Sequence, residues 1–260
     1  MGKTGKYMFK RILFEIYEQE RNIFIDNHKF YYKQAQKRLL SQFNNLEEEI
    51  NEIAEQQLED LEEFFDPDYH DPDDFLERAY ENANEKLILL NEMRDQTLLS
   101  VLAGMYHQWD KALREWMAKE TRHWGGKNVV YKIWKIDIGK IFDLFEVMGW
   151  KIRQENFFEK LDACRLIVNI YKHGNGDSLN ELRKNYPFYF YDYEENRFEI
   201  DGWFDHTCIS LTNENLKEFY ESILEFWQNI PNSFFVSDEF ILPKWLKDAL
   251  IVDSTADKIK

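Results

Sequence analysis

Between Gly5 and Pro67 the chain carries neither glycine nor proline. Apolar side chains recur through this stretch at helical spacing, among them Phe9, Ile12, Ile16, Ile23, Phe30 and Phe43. An apolar pattern of this period with no glycine or proline to interrupt it argues for helix. Residues 6–43 predict one long amphipathic helix. Leu46 to Phe65 continues with Leu46, Ile50, Ile53, Leu58 and Leu61 on one side and glutamate on most others. Together they predict a helical hairpin or arm over residues 1–66, stabilised by packing of its apolar stripe.

Pro67 and Pro72 break the pattern, with Asp73 or Asp74 as cap of the next helix. Residues 75–123 predict one or two more helices, stopped at Gly125-Gly126. Residues 127–136 alternate apolar and basic and read as extended. Residues 137–148 predict a helix stopped by Gly149, and residues 155–173 another ending before Gly174. Phe188 to Tyr193, a turn at Glu194-Glu195-Asn196, and Arg197 to Ile200 predict a β-hairpin. Cys208 to Leu211 predicts a third strand, and Thr212 or Asn213 the cap of a last helix reaching Gln228. The last ten residues read as a frayed end. The expectation is a mainly α protein, a helical bundle with long N-terminal amphipathic helices and a small C-terminal β-hairpin element. Residues 67–260 form its body, with the β element near residues 186–212.

Hydrophobic residues make up 44% of the 260-residue chain, which excludes a disordered polymer. The formal net charge is -16, but it is concentrated: Glu47 to Glu81 holds 16 acidic residues and only Arg78 as a base. A bulk electrostatic grip on nucleic acid is excluded, while a locally positive groove elsewhere is not. Segment 46–81 reads either as a solvated face or as a docking surface for a protein partner. Met1 to Arg11 has no uninterrupted apolar core of a signal peptide, and Cys164 and Cys208 are the only cysteines. A cytoplasmic chain with reduced thiols is expected. No apolar run approaches the ~18–20 residues that cross a bilayer, so no membrane partner is expected. The six histidines are scattered away from metal-ligand spacing, so neither metal nor cofactor is expected.

The chemistry concentrates in Cys164 to Gly176. On a helix of ~100° per residue, Arg165, Asn169, Lys172 and His173 share an arc of about 100°. The other positions, Leu166, Ile167, Val168, Ile170 and Tyr171, are apolar or aromatic. A helix of this kind is buried, and its narrow polar stripe faces a pocket, a partner or another helix. Gly174 and Gly176 leave His173 at a helix C-terminus, where an imidazolium is favoured and proton transfer is feasible. His107, Lys111 and Arg114 form a second stripe, with Trp109, Leu113 and Trp116 opposite. From Lys111 to Lys135 there are seven basic and two acidic residues, including Arg122 and Lys127. Trp116, Trp124, Tyr131 and Trp134 are interleaved with them, a texture that suits single-stranded nucleic acid.

The segment from Arg165 to His173 resembles the HEPN superfamily, helical-bundle domains that include metal-independent ribonucleases of phage-defence and toxin–antitoxin systems. The family pattern is an arginine followed by a histidine near the end of a late bundle helix. Seven residues separate Arg165 from His173 here, a longer gap than that pattern has. The resemblance implies an RNA-binding or RNA-cleaving effector, working as a homodimer across which the site is assembled. It further implies that His173 transfers the proton at the ribose or leaving oxygen. Asn169 and Lys172 would hold phosphate, with Arg165 as a further candidate. Separately, the basic and aromatic texture of the second stripe makes His107, Lys111, Arg114, Arg122 and Lys127 candidates for binding RNA or ligand. The alternative reading is a non-catalytic scaffold that docks a partner through residues 46–81 and the N-terminal helices.

Overall fold

A computed structural model describes residues 11–62, 65, 66, 68, 69, 71–191, 205–236 and 241–257. The protein is mainly α, a helical bundle with a small two-stranded antiparallel sheet. Its longest element, the helix from Pro72 to Thr121, organises the rest. By ~1.5 Å per residue it runs about 75 Å. Asp71, not Asp73 or Asp74, caps it by accepting the Asp73 N–H at 3.0 Å. Pro72 takes the first helical turn, where no N–H is needed.

In chain order the elements are β1 (Arg11–Glu15), α1 (Glu18–Arg38), α2 (Leu46–Glu62) and α3 (Pro72–Thr121). Then come α4 (Lys127–Lys135), α5 (Ile138–Val147), α6 (Phe158–His173), α7 (Asp177–Asn185), α8 (Asn213–Asn229), β2 (Ser233–Val236) and α9 (Lys244–Asp257). The second half of α3 passes through the core, burying Leu98, Leu102, Met105, Trp109, Leu113 and Trp116. Helices α1, α4, α6 and α8 and strand β1 pack against it. The first half of α3 pairs with α2, its antiparallel neighbour, over the small residues Ala54, Ala79 and Ala83.

Residues 11–15 are strand rather than the start of a helix. β1 pairs antiparallel with β2, with Ile12 opposite Phe235 and Phe14 opposite Phe234. The indole N–H groups of Trp116 and Trp124 donate to the Glu15 and Leu13 carbonyls at 3.0 and 2.6 Å. A short apolar run is locally ambiguous, and these partners from distant sequence settle it. Helix α1 lies on the body against α8 and α3; its Arg21 donates to the Trp227 and Ile230 carbonyls at the end of α8. The hairpin partner of residues 46–62 is therefore α3 and not residues 6–43.

Residues 127–135 are helical and not extended. Val129 and Ile133, four residues apart, form the buried face of α4. Asp253 of α9 caps α4, accepting the N–H groups of Gly126, Asn128 and Val129 at 3.0, 3.0 and 3.1 Å. Helix α9 thus continues to Asp257 instead of fraying from residue 251, with Leu246 and Ala249 buried and Asp253 bonded to α4; residues 258–260 lie outside the described residues. α7, for which the sequence offers no clear expectation, starts beyond Gly174, whose φ of +70° suits a residue without a Cβ. Helix α8 begins as expected, with Thr212 and Asn215 forming a reciprocal cap. Most of the expected hairpin, residues 192–200, lies outside the described residues. Nearby, Phe190 bridges Ile209, and His206–Cys208 is a short 3₁₀ turn.

Candidate functional site

Helix α6 crosses the core beside α3 with Cys164, Leu166, Ile167, Val168 and Ile170 buried. Its polar stripe divides. Asn169 and Lys172 turn toward α3 and line a cleft of about 370 Å³. Tyr106, His107, Asp110 and Arg114 of α3 form the facing wall, and Lys135 to Ile138, the α4–α5 junction, closes the end. The two polar stripes read from the sequence therefore meet in one place.

Arg165 takes a different direction. Its guanidinium is held by Asp162 at 2.8 Å and Glu181 at 3.4 Å, tying α6 to α7. His173 is exposed at the end of α6 and does not line the cleft. The residues assigned by resemblance to catalysis are thus not all brought together within one chain.

Arg114 is 7% exposed and fully engaged by the protein. It donates from Nε to both Asp110 oxygens at 2.9 Å. Through its terminal nitrogen it reaches the Ile133 carbonyl and, at 3.0 Å, the Ile136 carbonyl. The expected ligand contact is replaced by a structural one, closing the C-terminal end of α4. Its charge also neutralises Asp110. The other carboxylate of the cleft, Asp137, caps α5 by accepting the Gly139 N–H at 2.7 Å.

Asp110 is neutralised by Arg114, while Asp137 is exposed and engaged only through Oδ1, so the cleft keeps one carboxylate beside its donors and bases. Lys172 is exposed and makes no ion pair among the described residues. Burial lowers the His107 pKa from 6.5, and the nearby Lys172 ammonium lowers it further. The imidazole is therefore neutral and able to accept a proton near pH 7. Tyr106 is 6% exposed and lines the cleft. Burial raises that phenol well above its ordinary pKa, so it remains a donor.

No protein-family model, curated protein or solved structure matches the chain. The site must therefore be read from its own chemistry.

Lys135, which lines the cleft, also belongs to the exposed side of α4. Lys127, Tyr131, Trp134 and Lys135 fall within an arc of about 100°. All four are exposed, Tyr131 at 58% and Trp134 at 43%. The Lys135 ammonium sits 5.9 Å from the Tyr131 ring centroid. Trp109 and Trp116, by contrast, are core residues, and the Trp124 indole is spent on β1. Lys111 is exposed and paired with Glu115 at 3.7 Å, and Arg122 is exposed at the end of α3. Neither lines the cleft.

Sequence reasoning missed Tyr106, Asp110 and Asp137. Asp137 carried a signal, since an Asp directly before an apolar helix is a standard cap. Tyr106 carried none, because its position beside the apolar face of α3 reads as ordinary core. Among the described residues no group of three or more His, Cys, Asp or Glu gathers as a metal cradle. No described helix is long and apolar enough to cross a membrane.

Proposed function

We propose that this chain binds single-stranded RNA along α4 and in the adjoining cleft, and cleaves it without a metal ion. The observation that carries the reading is that Lys135 belongs both to the exposed Lys127–Tyr131–Trp134–Lys135 face and to the cleft holding His107, Asn169 and Lys172. Tyr131 and Trp134 offer ring faces on which successive bases stack, worth ~1–3 kcal/mol per base. Lys127, Lys135 and Lys172 meet the phosphates. The Tyr106 hydroxyl and the Asn169 amide donate to a phosphate oxygen inside the cleft. Neutral His107 accepts the ribose 2′-OH proton as that oxygen attacks the adjacent phosphorus.

The resemblance to HEPN proteins supports the same substrate and gives His173 a separate role. That ring, exposed at the end of α6, is free to face the cleft of a second copy in a homodimer. There it would protonate the leaving oxygen. The setting is cytoplasmic, in phage defence or a toxin–antitoxin pair, where metal-independent cleavage of RNA arrests growth.

The test is fluorescence anisotropy with labelled single-stranded RNA, followed by cleavage assays in EDTA. Tyr131→Ala/Trp134→Ala is expected to weaken binding at least tenfold. Lys135→Ala/Lys172→Ala is expected to flatten the salt dependence by roughly 1.4 in log–log slope, about 0.7 for each phosphate no longer neutralised. His107→Ala should bind RNA and leave it intact. Wild-type protein that neither binds nor cuts RNA at high concentration ends the proposal.

A further inference from the structure

We infer that the groove between α2 and the first half of α3 docks a basic amphipathic segment of a partner protein, a property separate from RNA binding. The groove has a floor of small residues, Ala54 and Ala79, 8% and 1% exposed. Leu58, Leu76 and Tyr80 wall it, enclosing about 170 Å³. Leu76 and Tyr80 stay 43% and 56% exposed, and Ile88, Leu89 and Met93 continue the exposed apolar surface further along α3. Glu55 stands on the rim with Asn51.

Charge selects the occupant. The surrounding segment, Glu47 to Glu81, holds 16 acidic residues against one basic residue. Glu52, Glu55, Glu59, Glu77 and Glu81 are exposed, and Glu52, Glu55 and Glu59 make no ion pair among the described residues. Nucleic acid is repelled by such a field, and so is a second copy presenting the same hairpin. The complement is a helix whose apolar anchor enters between Leu76 and Tyr80 while flanking Lys or Arg side chains meet the carboxylates. Helix-in-groove recognition uses this division, with anchors giving affinity and charge giving register and on-rate.

The hairpin suits this task. α2 packs more extensively on α3 than any other element does, and the groove lies near the N-terminal end of α3, away from the half that passes through the core. The small floor residues serve two purposes, close packing of α2 on α3 and the depression itself. The exposed Leu76 and Tyr80 cost little to replace, which allows docking to be removed without unfolding the hairpin.

The full-length chain is titrated into three labelled synthetic helical peptides by anisotropy: leucine–lysine amphipathic, leucine–glutamate amphipathic, and alanine–lysine without an apolar face. The leucine–lysine peptide is expected to bind at least tenfold more tightly than either control. Leu76→Ser/Tyr80→Ser and, independently, Glu55→Lys/Glu59→Lys should each remove at least a tenfold share of that affinity. Circular dichroism and thermal melting should match wild type. Equal binding of the alanine–lysine peptide, or affinity untouched by Leu76→Ser/Tyr80→Ser, would overturn the inference. Sedimentation showing a dimer that Leu76→Ser/Tyr80→Ser turns into monomer would overturn it also, assigning the groove to a second copy. RNA anisotropy with the same variants should be unchanged, which keeps this result apart from that at the cleft.

Discussion

Asp253 is 125 residues from Asn128 along the chain, yet it caps the helix that carries the exposed Tyr131 and Trp134. Four donors converge on its carboxylate: three backbone N–H groups and the Asn128 amide at 2.9 Å. Replacing a capping Asp by Ala costs ~0.5–2 kcal/mol. The carboxylate is partly exposed, so water recovers some of the broken bonds. The upper part of that range applies because several N–H groups of one turn lose the same acceptor. Asp253→Ala is therefore expected to cost about 2 kcal/mol, which at roughly 2–4 °C per kcal/mol lowers Tm by about 4–8 °C. Gly126 supplies the control. Its φ of -108° and ψ of -166° are open to any residue, so backbone conformation does not demand glycine there. Space does: an added Cβ would collide with the Asp253 carboxyl group. Gly126→Ala should cost ~1–3 kcal/mol in wild type, as overpacking does. In the Asp253→Ala background, with Cγ and both oxygens gone, the same change should be nearly neutral. The cycle is read by thermal and urea melts, with a coupling of at least ~1 kcal/mol expected. Additive losses would refute the argument that these two residues meet directly.

The same carboxylate sets a pH dependence. Partial burial pushes the Asp253 carboxyl up, but the N–H groups of Asn128, Val129 and Gly126 outweigh it and hold the pKa below the ordinary value. Its stabilisation is present above the unfolded pKa of about 3.9 and lost as pH falls through the folded value. The Tm gap between wild type and Asp253→Ala should thus close in acid, and a gap constant down to about pH 2 contradicts the geometry. His28 is buried, stacked on Tyr220 and bonded through Nε2 to the Tyr220 carbonyl at 2.9 Å; burial lowers its pKa to about 4. Native stability should fall as pH drops from about 6.5 toward 4, by at most roughly 3 kcal/mol, and His28→Gln should flatten that limb in urea melts. In the cleft, Lys172→Ala should raise the His107 pKa, tracked by the imidazole resonances in an NMR titration. An unchanged midpoint would remove Lys172 from the neighbourhood of that ring. Arg114→Ala leaves Asp110 and two carbonyls without their donor and should cost ~3–5 kcal/mol in urea melts, much less when Asp110→Ala accompanies it.

How much of this was legible in the chain differs from element to element. α6 ends at His173 and α5 at Val147 because Gly174 and Gly149, both at positive φ, stand just beyond. Thr212 marked the start of α8 for an equally local reason, its reciprocal cap with Asn215. The two polar stripes were legible from spacing alone, since side chains three or four residues apart share a helix face. Their meeting was not, because periodicity states which way residues point around one axis and says nothing of where another axis lies. Arg165 and Asn169 illustrate the limit: one turn apart on the same stripe, one is claimed by Asp162 and Glu181 and the other lines the cleft.

Local physical chemistry, written in the sequence, determined that this protein is built of helices, where several of them stop, and which faces are apolar. It also determined that one segment carries nearly all the net charge. Tertiary structure decided what has no local cause. Residues 11–15 became a strand because Ser233–Val236 and two indoles supply its backbone partners. Residues 127–135 became a helix because a carboxylate from α9 satisfies its first turn. Arg114 became part of the frame rather than the ligand surface because burial obliges a guanidinium to find acceptors, and the end of α4 provides them.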